Sequence, residues 1–126
     1  MKKHVMYSIG IIAAIVFATS CQYKFIVEPV PEPPDPSDTI YYSQEIEPIY
    51  STQGCTGCHN TGGTAPDLSE GNSYNSITSM GLVDEGDPVS SKIYYYPLPD
   101  GSHFAKYTSA QGALILGWIE QGAKNN

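Results

Sequence analysis

A chain of 126 residues has room for one domain with appendages, and its charge is one-sided: 13 Asp and Glu against 6 Lys, with no Arg. That balance excludes nucleic acid as a partner, which needs a basic face, and argues against docking on anionic lipid by charge. It suits a basic or neutral protein partner steered electrostatically, or serves solubility alone.

The first twenty residues read as a sorting signal. Lys2 and Lys3 precede a mostly apolar stretch from Val5 to Ala18. The stretch fits the hydrophobic region of a signal peptide and falls short of the ~20 residues of a membrane span. It closes on Ala18-Thr19-Ser20-Cys21, which resembles a bacterial lipobox with Ala18 in the place of the usual leucine. That resemblance implies cleavage before Cys21 and a diacylglycerol on its sulfur. An ordinary signal peptide followed by a stray cysteine is the other reading. Cleavage would leave 13 acids against four lysines. Two or more acyl chains hold a protein on a membrane far better than one.

Glu28 to Asp38 holds five prolines. Such a segment lacks backbone donors and favours an extended polyproline II spacer. The expected organisation is therefore a lipoprotein signal peptide over 1–20, a lipidated Cys21 with a Pro-rich tether over 21–42, and a folded domain over 43–126.

In that domain Ser43 is expected to cap a helix carrying Ile46, Ile49 and Tyr50 on one face. Pro48 is tolerated only near its start, and Gly54 should end it. The chain then enters Cys55-Thr56-Gly57-Cys58-His59, the c-type haem attachment signature. The chemistry explains the spacing. Each thiol adds across one haem vinyl group, and the adjacent histidine falls under the ring to ligate iron. Small residues at Thr56 and Gly57 let the backbone lie against the porphyrin edge. A thioredoxin-type dithiol would need a βαβ pattern that is not visible here. A zinc site would need a second Cys pair.

Residues 60–68 have loop chemistry, with Pro66 among them. A short helix is expected over Asn72–Met80, with Tyr74, Ile77 and Met80. A loop over Gly81–Asp87 follows, and then a helix opening at Pro88 and running into Tyr94-Tyr95-Tyr96. At least one of these three tyrosines should pack on the haem edge, offering apolar area with a polar tip. Pro97–Thr108 reads as an irregular loop carrying His103. Thr108 and Gln111 form a capping-box pattern for a last helix over Ala110–Glu120, with Leu114, Ile115, Trp118 and Ile119 on one side and Gly122 as its stop. Gly112 and Gly117 inside it suggest close approach of another backbone, such as a crossing N-terminal helix.

An amphipathic helix, then the Cys55–His59 motif, then Leu-Gly-Trp-Ile-Glu-Gln-Gly-Ala-Lys over Leu116–Lys124 resembles the small monohaem class I cytochromes c. The Gly86-Asp87-Pro88 and Ser91 stretch with the closing Trp-Ile-x-x-Gly-Ala looks like the cytochrome c-like domains of Bacteroidetes and Planctomycetes. The resemblance covers roughly residues 43–126. It implies an all-α, small cytochrome c-like fold with N- and C-terminal helices crossing around one covalently attached haem c. In that family the second nitrogen of the proximal histidine usually bonds a backbone carbonyl, often of a proline, and Pro66 is the candidate by position. Haem c attachment also implies export from the cytoplasm.

Relatives often carry a Met-Pro pair before the last helix, where this chain has Ser102-His103-Phe104-Ala105. His103 stands where the family places its distal ligand. Met80 is the alternative, against its reading as a core-filling methionine, and an open site is the third choice. Paired imidazoles imply a lower potential than His59/Met80 and leave no position for peroxide or gases.

The expected function is that of a membrane-tethered electron carrier passing electrons between redox partner proteins, not of an enzyme. An acidic face around the haem edge would select the partner. The alternative is a ligand-binding, sensory or peroxidase-like haem protein with an open sixth position. A domain this short needs a staple, so the apoprotein is expected to be largely unstructured.

Overall fold

The computed structural model describes residue 35 and residues 37–126. The signal segment, Cys21 and most of the Pro-rich stretch lie outside the described residues. Those residues form helices joined by turns and loops, with no strand among them. None of the helices is long and apolar enough to cross a membrane.

The first helix, α1, begins as a π-helical turn over Tyr42–Ile46 and continues as an α-helix over Glu47–Thr52. Pro48 explains the wide first turn. It has no N–H to give to the residue four before it, and the N–H of Glu47 reaches back five residues to the Tyr42 carbonyl. Ser43 is not the cap, contrary to the sequence reading. It lies inside the turn, where its N–H and Oγ donate to the Asn126 backbone oxygen at 3.0 and 2.8 Å. Gly54, with φ +71°, ends α1 and opens a 3₁₀ turn over Cys55–Gly57.

Helix α2 spans Ser73–Ser79. The helix expected from Pro88 onward is broken into a 3₁₀ turn, Pro88–Ser90, and a short helix α3, Lys92–Tyr95. Ser91 makes the break. It is buried with an extended ψ of 123°, and its Oγ accepts the Asp84 N–H at 2.8 Å, a bond that a continuous helix would forgo. Helix α4 spans Ser109–Glu120 and opens on the expected capping box. The Gln111 N–H donates to Thr108 Oγ1 at 3.2 Å, and the Thr108 N–H donates to Gln111 Oε1 at 2.8 Å. It ends in a Schellman arrangement. Gly122 takes φ +88°, its N–H meets the Ile119 carbonyl, and the Ala123 N–H meets the Trp118 carbonyl.

The core sits between α1 and α4. Tyr42 packs on Trp118 with centroids 5.0 Å apart, and edge-on against Tyr74 at 5.2 Å. Ile46, Ile77, Ile115 and Ile119 fill the space around them. Packing reaches upstream of residue 43: Ile40 is buried, and Gln121 ties both sides of it, accepting the Ile40 N–H and donating to the Asp38 carbonyl. The folded unit thus begins several residues before the boundary expected from composition. Gly112 does not meet the backbone of α1 either. A Cβ there would lie 2.7 Å from Leu98 Cδ2, so the close approach is to the loop after α3.

Candidate functional site

On one side of this core lies a cleft of about 250 Å³, open to solvent. Its wall includes Cys55 and His59 from the turn after α1, Pro66 and Leu68 from the loop behind them, Met80 after α2, and His103 and Tyr107 from the loop before α4. Residues scattered from 55 to 107 meet there because three loops converge on one face of the α1–α4 pair.

The Cys55–His59 segment is wound tightly. The N–H groups of Cys58 and His59 both reach the Cys55 carbonyl, at 3.1 and 2.9 Å. Cys55 is buried, and burial pushes its thiol up. Cys58 is exposed and lies outside the cleft wall. The two thiols are free. Nothing stands within 4 Å of where a Cβ on Gly57 would project.

The loop after His59 fixes its ring. His59 Nδ1 is 3.0 Å from the Thr64 carbonyl oxygen and 3.2 Å from that of Pro66. Carbonyl oxygens only accept, so Nδ1 carries the proton and donates. The lone pair is then on Nε2, the tautomer that a metal ion requires. Pro66 follows a cis peptide bond, but Thr64 offers the shorter contact and had no sequence signal. Further bonds hold the loop: Leu68 N–H to His59 O, Thr64 N–H to Cys58 O, and Thr61 Oγ1 to Asp67 Oδ2. Hydrogen bonds from Ser69 and then Thr61 hold the Asp67 carboxyl below the usual carboxylate range.

Across the cleft, the ring of His103 faces that of His59 with centroids 5.8 Å apart and planes inclined 36°. His103 Nδ1 lies 3.1 Å from the Ala105 carbonyl oxygen and 3.2 Å from the Ala105 nitrogen. One tautomer donates to that carbonyl and frees Nε2; the other accepts from that N–H. Met80 lines the same cleft but is exposed, not core-filling as its helical position suggested; it falls just past the end of α2.

Tyr96 lines the cleft, Tyr95 leans on it with centroids 4.4 Å apart, and Tyr94 joins a different groove against α4. Sequence reasoning missed Tyr107, which is buried in the wall with its phenol raised by burial. It also missed Lys92. Among the described residues no carboxylate lines the cleft, and Lys92 is the only charged residue in its wall.

No group of three or more His, Cys, Asp or Glu able to hold a metal ion occurs among the described residues. A bare structural ion such as zinc takes four protein ligands. Two facing imidazoles instead suit a metal whose other ligands come from a macrocycle. The apolar wall, the free His59 Nε2 and the adjacent Cys55 are all compatible with an iron porphyrin.

No protein-family model, no curated protein and no solved structure matches the chain.

Proposed function

We propose that the chain is a membrane-tethered monohaem c-type cytochrome that carries electrons and catalyses no reaction of its own. The observation that carries this reading is the His59 ring, held by the Thr64 and Pro66 carbonyls in the metal-ready tautomer and facing His103 across an apolar cleft. Haem c would supply an iron that changes between ferrous and ferric without a bound substrate. Cys55 and Cys58 would hold it covalently. His59 would ligate from the proximal side and His103 from the distal side, with Met80 the alternative. Cys21 would carry the lipid anchor of an exported protein at the periplasmic face or cell surface.

The residues then have distinct tasks. The carbonyls of Thr64 and Pro66 keep a proton on His59 Nδ1 and leave the lone pair on Nε2. Leu68, Ile93 and Tyr107 give the cleft an apolar wall, a lever on potential. His103 closes the distal side against small ligands. The whole assembly would be a small all-α cytochrome c-like fold, and the α1–α4 contact supports that likeness.

The first test is the absorption spectrum of the chain expressed with haem c maturation machinery. A low-spin spectrum without the weak long-wavelength thioether–iron band is expected. That band would move the ligand to Met80. A high-spin spectrum would favour a ligand-binding or peroxidase-like protein, and absence of haem would end the reading.

A further inference from the structure

Electron-rich rings run from the cleft into the core. Tyr107 stands in the cleft wall. Tyr50 is fully buried beside it, with Tyr42 on its other flank. The Tyr42 ring meets Trp118 at 5.0 Å and Tyr74 at 5.2 Å between centroids. Rings this close can hand an oxidising equivalent from one to the next, since each can give up one electron.

The proton decides where such an equivalent rests. A phenol that has lost an electron is a strong acid, and its radical lasts only where the O–H proton has an acceptor. The rings differ in this respect. Trp118 Nε1 and Tyr74 Oη donate to the carbonyls of Lys124 and Ala123, at 2.9 and 3.0 Å. A peptide carbonyl accepts a hydrogen bond but takes up no proton near neutral pH. The Tyr50 hydroxyl meets no partner in good hydrogen-bond geometry. Tyr42 Oη alone in this group leads to a base: it donates to Ser73 Oγ at 2.7 Å, and Ser73 Oγ donates to Glu47 Oε1 at 2.5 Å. Tyr42 and Ser73 are buried, whereas Glu47 is only half-buried. The Gly71 N–H holds the same carboxylate oxygen at 2.8 Å. Burying a phenol and a serine hydroxyl costs desolvation that apolar residues of the same shape avoid.

We propose that Tyr42 is a redox-active tyrosine: it yields an electron to an oxidising radical at the cleft, such as an organic peroxyl, and sends its proton through Ser73 to the Glu47 carboxylate. The peroxyl gains that electron by way of Tyr107 and Tyr50, takes a proton from solvent, and leaves as a hydroperoxide. At the other end the Tyr42 O–H bond breaks. Its proton binds Ser73 Oγ as the Ser73 proton binds Glu47, leaving a neutral phenoxyl and a neutral carboxyl. One electron from a reductant such as ascorbate restores Tyr42, and both protons return. The inference goes beyond the electron-carrier reading and uses no haem.

The test uses the full chain in neutral detergent, with photogenerated tris(bipyridine)ruthenium(III) as the one-electron oxidant. Electron paramagnetic resonance after freeze-quenching should show a tyrosyl signal that outlives those of exposed tyrosines several-fold. Tyr42→Phe should abolish that long-lived signal. Replacing the exposed Tyr41 and Tyr96 with Phe should leave it. Glu47→Gln still accepts the Ser73 hydrogen bond but takes up no proton. The radical should therefore form several-fold more slowly in that variant, at native circular dichroism. A bond of purely structural purpose would leave the rate unchanged. A long-lived signal in Tyr42→Phe, an unchanged rate in Glu47→Gln, or no long-lived signal in the parent would overturn the proposal. Haem absorption of the same sample bears on the carrier reading alone.

Discussion

The imidazoles of His59 and His103 lie 44 residues apart in sequence and face each other at 5.8 Å between centroids. One ring is pinned by Thr64 and Pro66, the other by Ala105. Replacing His103 with Ala in the loaded protein should therefore open the distal side. The expected result is a high-spin spectrum and rapid binding of carbon monoxide to the ferrous form. Met80→Ala should leave both unchanged. The opposite pattern would assign Met80 as the ligand.

Cys55→Ala/Cys58→Ala would remove the covalent attachment proposed for haem c. The domain is small, and a chain of this length builds a marginal core. Far-ultraviolet circular dichroism of the variant should show large loss of helix. Full native helicity would show that the Tyr42–Trp118 core folds without the haem.

Tyr50 is fully buried beside Tyr42, Cys55 and Tyr107, and among the described residues its hydroxyl meets no partner in good hydrogen-bond geometry. An unsatisfied buried hydroxyl costs about 1–3 kcal/mol. Tyr50→Phe should thus raise the melting temperature, by about 4–8 °C per kcal/mol recovered in a domain of this size. Tyr42→Phe should act the other way, since Tyr42 Oη donates to Ser73 Oγ at 2.7 Å and Ser73 Oγ donates to Glu47 Oε1 at 2.5 Å. Its expected cost is about 1 kcal/mol. A destabilised Tyr50→Phe protein would mean that the hydroxyl has a partner after all.

Burial pushes the Tyr42 phenol up to about 12, and raises Tyr50 and Tyr107 as well. Raised folded-state values mean that their stabilising contribution is complete below the ordinary tyrosine value near 10 and is lost as pH climbs through the folded values. Asp67 has the opposite sign: its lowered value contributes above the ordinary aspartate range and is lost on acidification. Melting temperature measured from pH 8 to 12 should fall steeply above about pH 10. A flat profile across that range would contradict the buried neutral phenols.

Thr108→Ala removes the Oγ1 that accepts the Gln111 N–H at the start of α4. The expected loss is about 1 kcal/mol, read from denaturant midpoints. Gln111→Ala should cost a comparable part, because its side chain closes the other half of the box. No change in either variant would mean that packing of Trp118 and Ile119 alone fixes the helix.

The sequence by itself determined the local elements whose cause is local. The Thr108–Gln111 pair, the Ile115/Trp118/Ile119 stripe and Gly122 specify α4, because capping and left-handed backbone are decided within a few residues. The Cys55–His59 spacing likewise is a local pattern, and it is the source of the haem attachment proposed above. Tertiary structure decided the rest. The π-helical start of α1 comes from Pro48 together with the clamp that Asn126 places on Ser43, residues 83 apart. The break at Ser91 needs Asp84, and the burial of Ile40 needs Gln121. The half-exposed Met80, the Lys92 in the cleft wall and the bare Phe104 follow from how three loops meet on one face of the α1–α4 core. Periodicity and composition carry no record of such distant contacts, since they register only what neighbouring residues do to each other.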